Sequence, residues 1–212
     1  MHRKDLITIA ISVLALTASL FTLYWSQLRS AEIEATTGEW VNTGYDDIYK
    51  NFWLVLPVTF TNQGARSATV RKIALLIQTP DEKKSYLLEP VYFQKLKEGG
   101  GFVNESIPIP VAVPARESVD KLVKFASSYK TPSEFEILET TGSYPAWLLM
   151  WTTTSGKPDL RERLRFELSS EELKILKKDR AGESSVARLY ESRYIRWRAQ
   201  SLKDEEIKKL LE

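Results

Sequence analysis

The sequence predicts a mainly β fold: an antiparallel β-sandwich preceded by one transmembrane helix and followed by a short helical tail. Three observations predict it. A run of 20 residues without a charge, Leu6 to Trp25, stands near the start. From Phe52 the apolar residues recur with the period of two that marks a strand packed on a core. After Leu168 the spacing changes to that of amphipathic helices. The chain accordingly divides into residues 1–30 as anchor, 31–168 as β-sandwich and 169–212 as a charged amphipathic tail.

Composition limits the chemistry. With 212 residues, 43% hydrophobic and 27% charged, the chain suits one folded domain with appendages. A net charge of +2 gives no global field for nucleic acid, and none is expected as a partner. There is no cysteine, which removes disulfides, thiolate catalysis and Cys-ligated metals. The single histidine, His2, leaves no basis for Ser-His-Asp catalysis or His-based metal sites. No cofactor is expected.

The first element is LITIAISVLALTASLFTLYW, about 30 Å as a helix and so matched to the hydrocarbon core of a bilayer. Tyr24 and Trp25 close it as an interfacial aromatic pair would. No small-x-small cleavage site follows, so an uncleaved anchor that meets lipid through residues 6–25 is expected. Arg3 and Lys4 precede the helix and only Arg29 follows closely. That balance places the N-terminus in the cytoplasm and the domain outside. Thr8, Ser12, Ala15, Ser19 and Thr22 form one seam of small residues. Such a seam lets helices approach closely, or its hydroxyls simply bond their own backbone.

The sandwich begins with Phe52, Leu54, Leu56, Val58 and Phe60 on one face of a strand. Thr61-Asn62-Gln63-Gly64 then reads as a reversal into Val70, Ile73, Leu75 and Ile77, with Asn and Gly suited to positive φ. A single glycine leading into strand-forming residues does not make a phosphate loop. Tyr86–Leu88 and Val91–Phe93 read as a short strand pair interrupted at Pro90, followed by a loop over residues 94–106. Ile107, Ile109, Val111 and Val113 alternate with prolines, the pattern of an edge strand. Val119, Val123 and Phe125 give a further strand, and Phe135 to Leu138 another.

The last hairpin runs from Tyr144 to Thr154 and back over Leu160–Leu168, turning at Gly156. The turn is expected to bring Trp147, Leu149 and Trp151 against Leu164, Phe166 and Leu168. Arg161, Arg163 and Arg165 lie opposite the core face of the return strand, as a solvated stripe or as a docking site for an acidic partner or lipid headgroups.

Two of these motifs carry a resemblance. Thr61-Asn62-Gln63-Gly64 followed by Ala68-Thr69-Val70 resembles the early hairpin of bacterial immunoglobulin-like domains, and Gly142-Ser143-Tyr144 is similar to the start of a late strand in them. With the anchor and charged tail, the chain resembles small uncharacterised bacterial membrane proteins carrying such a domain. The resemblance implies a fold and no activity.

In the tail, Ser169 with Glu172 reads as a capping box opening a helix with Leu173 and Leu176, which Gly182 ends. A second helix carries Val186, Leu189, Tyr190, Tyr194 and Trp197 among Arg188, Arg193, Arg196 and Arg198. The expected function is a non-catalytic interaction or assembly module with a protein partner or self-association. One alternative is a sandwich whose cavity, lined by Trp147 and Trp151, holds an apolar molecule or lipid. The other is a carboxylate-only hydrolase using Asp46 with Asp47, or Glu98 with Glu105.

Overall fold

The computed structural model describes residues 3–38, 41–45, 52–81, 84–98, 101–126, 138–154 and 156–181. Helix α1 (Arg3–Leu23) continues into a π-helical turn, Tyr24–Leu28. The apolar span Ile7–Leu28 has mean hydropathy 2.0 over its most apolar window, and no residue of that window is buried among the described residues. It is long and apolar enough to cross a membrane.

The described strands are β1 (Ile33–Thr37), β2 (Asn42–Tyr45), β3 (Phe52–Asn62), β4 (Ala68–Val70), β5 (Lys72–Gln78) and β6 (Ser85–Leu96). They continue with β7 (Phe102–Ser106), β8 (Val111–Val113), β9 (Ser118–Ala126), β10 (Gly142–Trp151) and β11 (Leu160–Leu168), and helix α2 (Ser170–Ala181) follows. All pairings are antiparallel, and the main path runs β1-β3-β9-β6-β5-β10-β11. Strand β6 folds this path into two layers. Its first half, Ser85–Leu88, pairs with β5, and from Glu89 it pairs with β9. The register shifts between Pro90 and Tyr92, where proline has no N–H to give to a ladder. Pro57 uses the same exemption. In β3 it falls between the residues that pair with β2 and those that pair with β1.

Between the layers lies a core that includes Phe52, Phe60, Phe93, Phe125 and Phe166, each at most 1% exposed. Burying a side chain of this size contributes about 1.5–3 kcal/mol. The expected face of β3 is borne out, since Phe52, Leu54, Leu56, Val58 and Phe60 are all buried.

Other expectations are corrected. The two runs flanking Asn62-Gln63-Gly64 do not pair with each other. β3 bonds to β1, β2 and β9, while β4 bonds to β8 and β5 bonds to β6 and β10. The chain therefore crosses from one layer to the other at this point. Residues 85–96 form one strand serving both layers instead of a short strand pair, and Phe102–Ser106, expected as loop, pairs with β6. In the proline-rich segment only Val111–Val113 forms a strand, while Ile107 and Ile109 stay exposed. The expected strand at Phe135 lies outside the described residues, apart from Leu138, which is buried in the core.

On the β10–β11 hairpin the face of β11 is as expected, with Leu164, Phe166 and Leu168 in the core, whereas the face of β10 is the reverse of expectation. The register sets Leu148 opposite Glu162, Ala146 opposite Leu164 and Tyr144 opposite Phe166, and these apolar residues enter the core. Trp147 and Leu149 stand opposite Arg163 and Arg161, on the outside of the layer.

The capping box at α2 is borne out. Ser169 N–H donates to Glu172 Oε2 at 2.8 Å, and Glu172 N–H donates to Ser169 Oγ at 3.3 Å. Leu176 joins the sandwich core, and the Tyr45 N–H donates to Asp179 Oδ2 at 2.9 Å. Arg180 pairs with Glu139 at 2.5 Å and lies 5.8 Å from the Tyr45 ring centre. Burial pushes the Tyr45 hydroxyl up to about 12. Residues 169–181 thus pack on the sandwich. The second tail helix, with Arg188, Arg193, Arg196 and Arg198, lies outside the described residues.

Candidate functional site

The most elaborate polar construction in the described protein joins the apolar helix to the sandwich. Its centre is Asn62, 1% exposed at the end of β3. Its side-chain oxygen accepts from Gly64 N–H at 2.9 Å and from Glu32 N–H at 3.2 Å. Its amide donates toward three carbonyls: Arg66 at 2.8 Å, Pro114 at 3.1 Å and Val113 at 3.3 Å. One amide therefore ties together the segment leaving the helix, the β3–β4 crossover and the loop after β8.

Backbone bonds complete the clasp. Gln63 N–H donates to Glu32 O at 2.9 Å, and Ala65 N–H to Arg29 O at 3.1 Å. Gly64 has no positive φ, so the expected reason for a glycine here is wrong. The reason is space: a Cβ at Gly64 would stand 2.5 Å from Ala31 Cα and closer still to the Ser30 carbonyl oxygen.

From the opposite side Arg116 reaches the helix itself. Its guanidinium donates to the Trp25 carbonyl at 2.6 Å, a contact between residues 91 apart in sequence. The carbonyls at a helix C-terminus lack intrahelical partners and carry partial negative charge, so a guanidinium cap satisfies both needs. Arg116 has φ +58°, the left-handed region, which costs a non-glycine residue roughly 1–2 kcal/mol. Arg29 lies over the Trp25 ring at 4.7 Å and is paired with Glu32. No free tether separates helix from domain.

The second feature is the outer face of β5 and β10. Ala74, Leu76, Trp147 and Leu149 form a separate buried cluster with Trp151 packed against it. The arginine stripe is not the uniformly solvated face that its charge suggests. Arg165 is exposed, whereas Arg161 and Arg163 are half-buried beside this cluster. Lys72 Nζ sits 5.0 Å from the Trp151 ring centre. Trp147 Nε1 and Arg161 Nε are buried with no hydrogen-bond partner among the described residues. Both tryptophans lie outside the inter-sheet space, so they do not line a cavity within the sandwich.

Of the predicted acids, only Glu98 and Glu105 fall among the described residues. Asp46 and Asp47 lie outside the described residues, and Glu105 is paired with Lys121 at 3.1 Å. A groove of about 200 Å³ beside Pro90 and Ile109 holds Arg71, Lys72 and one carboxylate, Glu89. The acid that sequence reasoning missed is Glu162, opposite Leu148 on the inward side of β11. Burial raises its pKa above the ordinary range and the nearby Glu34 carboxylate adds to the shift. Glu34 itself is exposed and accepts from Gln63 Nε2 at 2.7 Å.

In the helix seam, Ser12 and Ser19 donate to the carbonyls of Thr8 and Ala15 at 2.9 and 2.8 Å, and Thr22 donates to Ala18 at 2.8 Å. Their hydroxyl protons are committed to the helix's own backbone. The clasp residues carry no recognisable sequence signal beyond Asn62 and Gly64, whose residue types equally suit a reversal.

No family model matches the chain, and no curated protein matches it. A solved structure of a protein designated ApaA from Bordetella pertussis is similar over 66% of this chain and 91% of its own, at 8% identity and a TM-score of 0.31. That level is too low for a shared fold or function to be read from it.

Proposed function

We propose that the chain is a membrane-anchored, immunoglobulin-like sandwich acting as a non-catalytic interaction or assembly module. The observation that carries this reading is the clasp: an uncovered apolar helix is fixed by built contacts to a folded domain. A helix serving only as a removable leader has no use for a buried amide and a strained arginine at its end.

Strand order supports the immunoglobulin-like part. One layer reads β1-β3-β9-β6 and the other β6-β5-β10-β11. This matches the A-B-E-D and C-F-G layers of that architecture, with β6 serving both. In that order the second and third strands occupy opposite layers, which accounts for β3 and β5 not pairing with each other. A tyrosine corner adds to it. The Tyr144 hydroxyl donates to the Thr140 carbonyl at 2.6 Å, four residues back, and its ring stacks on Phe166 at 4.9 Å. Gly142, at φ +143°, turns the chain into the strand. Tyr144→Phe keeps the ring and leaves a carbonyl unpaired, so an unfolding free energy lower by about 1–3 kcal/mol is expected in denaturant titration. An unchanged midpoint would remove the corner from the account.

The expected partner is a second copy through the helix or a protein on the outer face, with the N-terminus cytoplasmic and the domain outside. Because the seam hydroxyls bond their own backbone, association through it depends on close approach alone. Ser12→Ala with Ser19→Ala should leave self-association in membranes unchanged, and Leu at both positions should abolish it. Equal association in both double variants would exclude the seam. Resistance to alkaline carbonate extraction, with domain cleavage by external protease in intact cells, tests anchor and topology together. Release by carbonate would defeat the membrane reading.

A further inference from the structure

We propose that the clasp end of the sandwich is a binding surface for anionic phospholipid headgroups, with Arg66 and Arg116 as its phosphate contacts. The inference rests on the membrane reading above and adds a ligand class to it.

Position is the first argument. Trp25 lies near the end of the apolar span, and the bond from Arg116 to its carbonyl holds that guanidinium where the helix would leave hydrocarbon. Arg66 follows Ala65, whose N–H is bonded to Arg29 at the helix exit. The fold thus gathers arginines from residues 29, 66 and 116 around a single helix end.

Charge is the second. Arg29 is neutralised by Glu32, and Glu34 is engaged by Gln63. Arg66 and Arg116 are exposed and have no carboxylate partner among the described residues. Glu117 follows Arg116 in sequence, and its backbone carbonyl accepts from Asn62 N–H.

Residue choice is the third. A left-handed backbone position suits glycine or asparagine, and Arg116 occupies it against its preference. Capping the Trp25 carbonyl needs one N–H, while guanidinium carries five in a fork that matches phosphate oxygens. The bond to Trp25 uses one of those donors and leaves the others for an anionic ligand.

Full-length protein is reconstituted in nanodiscs of mixed phosphatidylglycerol and phosphatidylcholine, and retained lipid is counted by native mass spectrometry. Wild type should retain the anionic lipid preferentially, and Arg66→Gln and Arg116→Gln should each lower the preference about fivefold. The Arg66 side chain takes no part in the clasp, so Arg66→Gln remains a sound test even where Arg116→Gln loosens the joint. Equal retention of the two lipids by an inserted, carbonate-resistant protein overturns this proposal and leaves the anchor standing. Release by carbonate overturns both. Complete displacement of the lipid by excess inorganic phosphate overturns the lipid assignment in favour of a free-phosphate site.

Discussion

Asn62→Ala is expected to lower the unfolding free energy by about 4 kcal/mol, a large part of the 5–15 kcal/mol that stabilises an ordinary domain. The substitution removes no apolar packing of consequence. It strands the buried N–H of Gly64, the part-buried N–H of Glu32 and the part-buried carbonyls of Arg66 and Pro114. Each stranded group costs about 1–3 kcal/mol, discounted where water enters. Asn62→Asp sharpens the result. It still accepts from both N–H groups but sets an oxygen against three carbonyls, so it should be at least as damaging. Denaturant titration of full-length protein in detergent reads both. A loss under 1 kcal/mol in either variant would mean that the amide is not the centre of the clasp.

Gly64→Ala is expected to open the same joint by a different route. The added methyl meets backbone of Ser30 and Ala31, not a flexible side chain that could turn aside. Overpacking of this kind costs about 3 kcal/mol. The Arg29–Ser30 peptide bond is a trypsin site held inside the clasp, because the Arg29 carbonyl accepts from Ala65 N–H. If cleavage follows local opening, a 3 kcal/mol change accelerates it by about 100-fold. Cutting at the wild-type rate would show that the linker is not held by this approach.

Features governed by local chemistry were legible in the sequence. The capping box at Ser169 and Glu172, the apolar helix and the period-two face of β3 all depend on residues near one another in the chain. The faces of β10 were not legible, because Ala146-Trp147-Leu148-Leu149-Met150-Trp151 is apolar on both sides. Alternation then says that faces exist without saying which is inner, and register against β5 and β11 decides it. Pro90 marks an irregularity in the ladder, not the end of a strand. That the strand continues past it into the other layer depends on β9, which no local pattern reveals. Asn62 and Gly64 looked like turn residues because turns and close backbone crossings select the same small or amide side chains. Arg116 offered nothing to read. Its role exists only once Trp25 is brought to it from 91 positions away.

The central claim is that helix and sandwich form one rigid body, so that the domain is presented to its partners at a fixed attitude to the bilayer. The cysteine-free chain permits a direct test. Spin labels on cysteines introduced at Leu16 in the helix and Lys95 in β6 are measured by double electron–electron resonance in nanodiscs. A single narrow distance distribution in the otherwise wild-type chain, broadened by Asn62→Ala, is the predicted result. A distribution already as broad as that of a flexible tether would contradict the account.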